Sequence, residues 1–153
     1  MPIVSAINLL QEPEKHVLSI RTVIPFIEYS ETAGKVYAKI IDYAQRNGIL
    51  FSGAPFVCYH NTDMEHLDVE MGFPIANVER GDADILCHTI SAQNTVSGIF
   101  LGAYEETDCL MSQIFRWIAE HGYEQQGIVY HHYLNEQNRL TCELLTRIAI
   151  PVK

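Results

Sequence analysis

Positive charge is scarce in this chain of 153 residues: 10 Lys and Arg stand against 19 Asp and Glu, a formal net charge of −9. Binding to phosphate backbones depends on clustered cations that release counterions. Here Lys15, Arg21, Lys35, Lys39, Arg46, Arg80, Arg116, Arg139, Arg147 and Lys153 are scattered, so no direct nucleic-acid binding is expected. No apolar run approaches the roughly 18–20 residues of a membrane span. The start, Met1-Pro2-Ile3-Val4, lacks the basic and apolar regions of a signal peptide. No membrane association and a cytoplasmic location are therefore expected. The four cysteines, Cys58, Cys87, Cys109 and Cys142, form no CxxC and read as unbridged thiols. No nucleophile elbow, phosphate-binding loop or dinucleotide fingerprint is present. The seven histidines show no HxxxH or HxH spacing, so neither a metal nor a cofactor is expected.

What is present is an internal repetition. Laying residues 31–61 over 105–135, an offset of 74 without a gap, places Ile40 on Ile114, Tyr43 on Trp117, Gly48 on Gly122, Gly53 on Gly127, Tyr59 on Tyr133 and Asn61 on Asn135. Further on, Gly72-Phe73-Pro74-Ile75 meets Ala149-Ile150-Pro151-Val152 after three extra residues. The repeated unit is an apolar helical period, a glycine stop, a glycine turn and an aromatic strand. Amphipathic helices ending in glycine are common, but the ungapped coincidence of both glycines with the Tyr-x-Asn ending favours duplication. A single domain over 1–153 is expected, with repeats of about 1–77 and 78–153 facing each other across a ligand groove.

Local patterns fill in the order strand, strand, helix, strand, strand, twice. Residues 3–10 read as a strand, 11–14 as a turn around Pro13, and the partly alternating, β-branched run 16–24 as a second strand. A helix is expected to begin near Ser30-Glu31-Thr32, which offer capping groups, and to stop at Asn47-Gly48. Its stripe is Val36, Tyr37, Ile40, Ile41 and Ala44. Strands at 56–60 and 66–75 follow. The second unit has strands at 85–90 and 95–101, then a helix capped by Thr107 or Asp108 and ended at Glu120-His121-Gly122. Strands at 128–134 and 144–152 complete it. The expected class is α+β, with antiparallel sheets and a helix packed on each.

These residues resemble the GyrI-like small-molecule-binding family, whose domain also serves as the effector-binding part of bacterial transcription regulators. Gly102-Ala103-Tyr104, Trp117 and His121-Gly122 resemble its bend, helix and stop. Tyr130-His131-His132-Tyr133 stands where the family has an aromatic-Glu-x-Tyr strand, and Thr146-Arg147-Ile148-Ala149-Ile150-Pro151-Val152 resembles its closing strand. Asp68-Val69-Glu70-Met71-Gly72-Phe73-Pro74-Ile75 resembles the corresponding strand of the first half. Two acidic positions of the family pattern are His131 and Arg147 here, which removes negative charge. No segment is left over for a DNA-reading helix-turn-helix, as in stand-alone members.

The resemblance implies a ligand site at Tyr104, Tyr130, His131 and Tyr133, with Phe56, Tyr59 and Trp117 as further aromatic walls. Such rings stack on flat ligands and attract cations, although core filling also accounts for a single ring. Adjacent strand residues point to opposite faces, which separates Tyr130 and His132 from His131 and Tyr133. Glu70 and Asp68 share one face, and if that face is the groove the pair offsets the charge missing at 131. The leading expectation is a sensor or sequestering protein for an aromatic, hydrophobic and possibly cationic molecule. A second is a hydrolase of cyclopropane-containing electrophiles, with His131 or Glu105 as the catalytic group. A third is a gyrase-inhibitor-like modulator whose acidic surface meets a basic protein partner.

Overall fold

A computed structural model describes residues 2–153. It is α+β, with two α-helices and antiparallel pairing throughout the named ladders. The strands are β1 (Asn8–Glu12), β2 (Lys15–Ile24), β3 (Phe56–Tyr59), β4 (Leu67–Ile75), β5 (Leu86–Ile90), β6 (Gln93–Leu101), β7 (Val129–Tyr133) and β8 (Leu145–Val152). The helices are α1 (Tyr29–Arg46) and α2 (Asp108–Glu120). Short 3-10 turns cover Phe26–Glu28, Tyr104–Glu106 and Thr141–Glu143.

The chain divides into two compact units, one of Glu14–Ser91 and one that joins the residues up to Pro13 to Ala92–Lys153. In the first, the strands lie in the order β3-β4-β2-β5; in the second, β7-β8-β6-β1. These units divide the chain differently from the sequence halves 1–77 and 78–153. Strand pairing is the reason: β1 forms its ladder with β6, and β5 forms its ladder with β2.

The unit Glu14–Ser91 buries the stripe of α1, Val36, Ile40, Tyr43 and Ala44, on the sheet face that carries Leu18, Ile20, Val69, Met71 and Phe73. The edge-on packing of Tyr37 against Phe73, ring centres 5.6 Å apart, marks that face. In the other unit α2 turns Leu110, Ile114 and Ile118 inward, and the sheet face toward it carries Val96, Phe100, Ile148 and Ile150. A side chain at Gly98 would come within 2.8 Å of Leu110, which places α2 directly over β6. Each of these large buried side chains contributes roughly 1.5–3 kcal/mol.

Both helices stop at the expected glycines. Gly48 has φ of 65° and Gly122 of 74°, left-handed values that cost other residues energy. The closing bonds also match at the offset of 74: Ile49 N–H donates to Ala44 and Tyr123 N–H to Ile118.

Three expectations differ from the structure. The first strand is Asn8–Glu12 instead of 3–10, so Gln11 and Glu12 are strand and not turn; β1 is an edge strand, where polar side chains reach water. Ile3 makes only an isolated bridge to Phe100. Neither helix has a side-chain cap at its start. Ser30 to Thr32 lie inside α1, whose preceding 3-10 turn already occupies backbone donors, Glu28 N–H bonding to Pro25. The Thr107 hydroxyl donates to Tyr104 O at 3.1 Å instead of accepting from the helix.

Candidate functional site

Two clusters of functional side chains are built on these sheets, one in each unit. In the unit that contains α2, strand β7 places His131 opposite Ile148 and Tyr133 opposite Thr146, on the face toward α2. Tyr104 starts the 3-10 turn leading into α2 and brings its ring to 5.0 Å from that of Tyr133, tilted by 57°. Tyr133 is buried, whereas Tyr104 and His131 are half-buried. The hydroxyls of Tyr104 and Thr146 are buried without a hydrogen-bond partner among the described residues. Burial, and secondly the charge of Glu105, pushes the Tyr104 phenol up. Desolvation lowers the His131 imidazole to about 4, so it is neutral at pH 7. The cluster therefore combines two aromatic rings with uncharged polar groups.

Period-two geometry sends Tyr130 and His132 to the other face of this sheet. They stack with ring centres 6.0 Å apart. Arg147 lies opposite His132 on the same face. Trp117 is half-buried on α2 and stacks on His121 at 3.8 Å and on Tyr123 at 5.9 Å. Near it a hollow of about 660 Å³ is lined by Phe115, Ile118, Ala119, Tyr123, Glu124 and Gln125, none of them a ligand-site residue expected from the sequence. Glu105 is exposed on its turn.

The second cluster centres on Glu70 in the unit Glu14–Ser91. Glu70 and Asp68 do share a face, the one turned away from α1, where Glu70 lies opposite Arg21 on β2 and Cys58 on β3. The Ser19 hydroxyl donates to Glu70 Oε2 at 2.6 Å, His60 Nε2 lies 3.0 Å from Oε1 and His88 Nε2 lies 2.5 Å from Oε2. Burial opposes ionisation of Glu70, but hydrogen bonds from His60, His88 and Ser19 outweigh it and hold the carboxyl well below its usual range. The same bond raises His88 above the ordinary histidine value, against its partial burial. Beside them Arg21 grips Asp68 with two bonds of 2.9 and 2.8 Å.

Phe56, opposite Gly72 on this same face, is 1% exposed and fills the core. Tyr59 turns toward the α1 side, its ring 6.1 Å from that of Tyr29. Burial, and then Tyr29, pushes its phenol far above the ordinary tyrosine value. Sequence reasoning missed Ser19, His60 and His88 as partners of Glu70, and Thr146 as the residue opposite Tyr133. The alternation that paired Asp68 with Glu70 gave their face, whereas the partners come from other strands and depend on register. Among the described residues no group of three or more His, Cys, Asp or Glu is arranged to hold a metal ion, and no helix is long and apolar enough to cross a membrane.

The family model described as GyrI-like small molecule binding domain matches residues 5–153. No curated protein sequence matches. Among solved structures, the C-terminal domain of EcmrR is similar at 22% identity and a TM-score of 0.82, covering 97% of each chain. A longer EcmrR chain in a complex with DNA aligns at 20% identity and a TM-score of 0.84; the present chain spans 57% of its length. A hydrolase from Listeria innocua aligns at 11% identity and a TM-score of 0.71, covering 96% of this chain and 91% of that one. SAV2435 bound to tetraphenylphosphonium aligns at 11% identity and a TM-score of 0.64, covering 97% and 94%.

Proposed function

The chain belongs to the GyrI-like small molecule binding domain family, and from that premise we propose that it is a non-catalytic receptor or sequestering protein for a small, largely aromatic molecule. The ligand would lie on the α2-facing side at Tyr104 and Tyr133, with His131 and Thr146 fixing its orientation. The buried hydroxyl of Tyr104, without a partner among the described residues and beside the Tyr133 ring, carries this reading. An unpaired buried hydroxyl costs about 1–3 kcal/mol, which a ligand polar atom offsets on binding. Since His131 is neutral, a cation at this cluster would be held by ring faces, worth roughly 0.5–2 kcal/mol each, without a carboxylate at position 131. The tetraphenylphosphonium held by SAV2435 has its charge enclosed by aromatic rings and suits that chemistry.

Hydrolysis is the weaker reading. An imidazole lowered to about 4 is a poor base, and Glu105 is exposed to solvent. The shared strand order, the matched caps at Gly48 and Gly122, and the strand-end positions of Tyr59 and Tyr133 support descent of the two units from one duplicated segment.

Titrating the protein with tetraphenylphosphonium and with neutral N-phenyl-1-naphthylamine, followed by fluorescence, tests the binding reading. Tyr104→Ala and Tyr133→Ala are each expected to weaken binding about tenfold, the loss of roughly 1.4 kcal/mol of ring contact. Unchanged affinity for both compounds in variants that remain folded would overturn the assignment.

A further inference from the structure

We infer that Arg147, on the sheet face turned away from α2, is a recognition element for an acceptor oxygen, either a carbonyl or a carboxylate, on a small ligand. This rests on reading the chain as a small-molecule-binding domain, but it uses a face that does not include the Tyr104–Tyr133 pair.

Arg147 Nη2 donates to Glu12 Oε1 at 2.6 Å, and both side chains are 18% exposed. Arg147 Nη1 is buried with no hydrogen-bond partner among the described residues. The Thr95 hydroxyl is in the same condition. Register puts the two on one face: Arg147 opposite Ile99, and Thr95 opposite Pro151, with Thr95 and Ile99 an even four positions apart. Arg147 also lies opposite His132, whose ring stacks with Tyr130.

The ion pair itself indicates where the guanidinium goes. Glu12 lies opposite Gln93 and Arg147 opposite Ile99, six residues apart along β6 and about 20 Å on a flat sheet. Their contact requires the sheet to bend toward this face along that diagonal. It also carries the guanidinium across β6 in the direction of Ser97 and Thr95. The side chains there are small, Ser97 on β6 and Ala149 on β8, and both are buried.

Two unsatisfied donors on one inward-bending face define the chemistry of what binds. A guanidinium only donates, so the partner of Arg147 Nη1 is an acceptor, and the Thr95 hydroxyl on the same face can donate as well. Glu12 already balances the charge of Arg147, so the acceptor need not be charged, and a neutral carbonyl fits without adding a second carboxylate beside Glu12.

The test uses benzamide and benzoate, read by the NMR signals of the Arg147 guanidinium. Arg147→Lys keeps the charge beside Glu12 but loses Nη1; Thr95→Val loses only the hydroxyl. Either compound is expected to shift the Arg147 signals, with affinity falling about tenfold in Arg147→Lys and about threefold in Thr95→Val. A response to benzamide identifies the neutral carbonyl, and one confined to benzoate identifies the carboxylate. If neither compound shifts the signals, or if both variants bind as tightly as the unaltered protein, an ordered water alone satisfies these donors and the inference falls. Tetraphenylphosphonium binding measured on Arg147→Lys reports the Tyr104 cluster separately. Its absence alongside an Arg147-dependent response would sink the proposed function and leave this one standing.

Discussion

His131 links the stability of the fold to the binding proposed at the Tyr104–Tyr133 cluster. Its imidazole titrates near 4 in the folded chain, against an ordinary 6.5. Below 6.5 the unfolded chain takes up a proton that the folded chain refuses. The stability His131 contributes is therefore present above pH 6.5 and is lost as pH falls toward 4, on the order of 3 kcal/mol at most. Urea denaturation between pH 7 and pH 4 is expected to show a shallower acid limb in His131→Gln than in the unaltered protein. His131→Glu places a carboxylate beside Tyr133 and is expected to strengthen tetraphenylphosphonium binding, measured by calorimetry, without the same gain for a neutral aromatic. Glu70 makes the opposite kind of demand. Glu70→Ala removes the acceptor of Ser19, His60 and His88 at once and should cost about 2–3 kcal/mol in denaturant unfolding.

At the scale of elements, the helices were the most legible part of the sequence because two physical signals agreed. The stripe Val36, Ile40, Ala44 fixes an inner face, and Gly48 supplies the left-handed residue that ends it; Leu110, Ile114, Ile118 and Gly122 do the same for α2. Gly122→Ala keeps the stripe but strains the stop and should cost about 1–2 kcal/mol, seen as a lower urea midpoint at unchanged slope. Strand ends were less legible. Gln11 and Glu12 look like turn residues beside Pro13, yet an edge strand tolerates them. Cross-strand partners were not legible at all. Nothing local to Glu70 names Ser19, fifty-one residues away, or His88, eighteen away. Likewise nothing local to Arg147 names Glu12. The alternation rule separated Tyr130 from Tyr133 correctly because it needs no partner strand.

Across the whole molecule, the scattered cysteines are unbridged, as their spacing indicated. Cys109 and Cys142 are exposed, Cys87 is half-buried and Cys58 is buried. A thiol reagent should thus label two sites quickly in the native protein and four after denaturation. Two or none in the denatured, unreduced chain would contradict the structure. The pairing of β1 with the distant β6 also governs the order of events during synthesis. Glu14–Ser91 is one uninterrupted stretch that holds four strands, β2 to β5, in three mutual ladders. β1 cannot pair until Ser97, the partner of Asn8, is made some ninety residues later. A ribosome-bound chain would carry β1 as an unpaired strand until β6 is made. Long-range pairing of this kind is slow, and a waiting edge is open to the wrong partner. In pulse-labelled hydrogen exchange, the β1 amides should gain protection after those of β2 and β4. A segment made well before its partner would then be among the last to find its place.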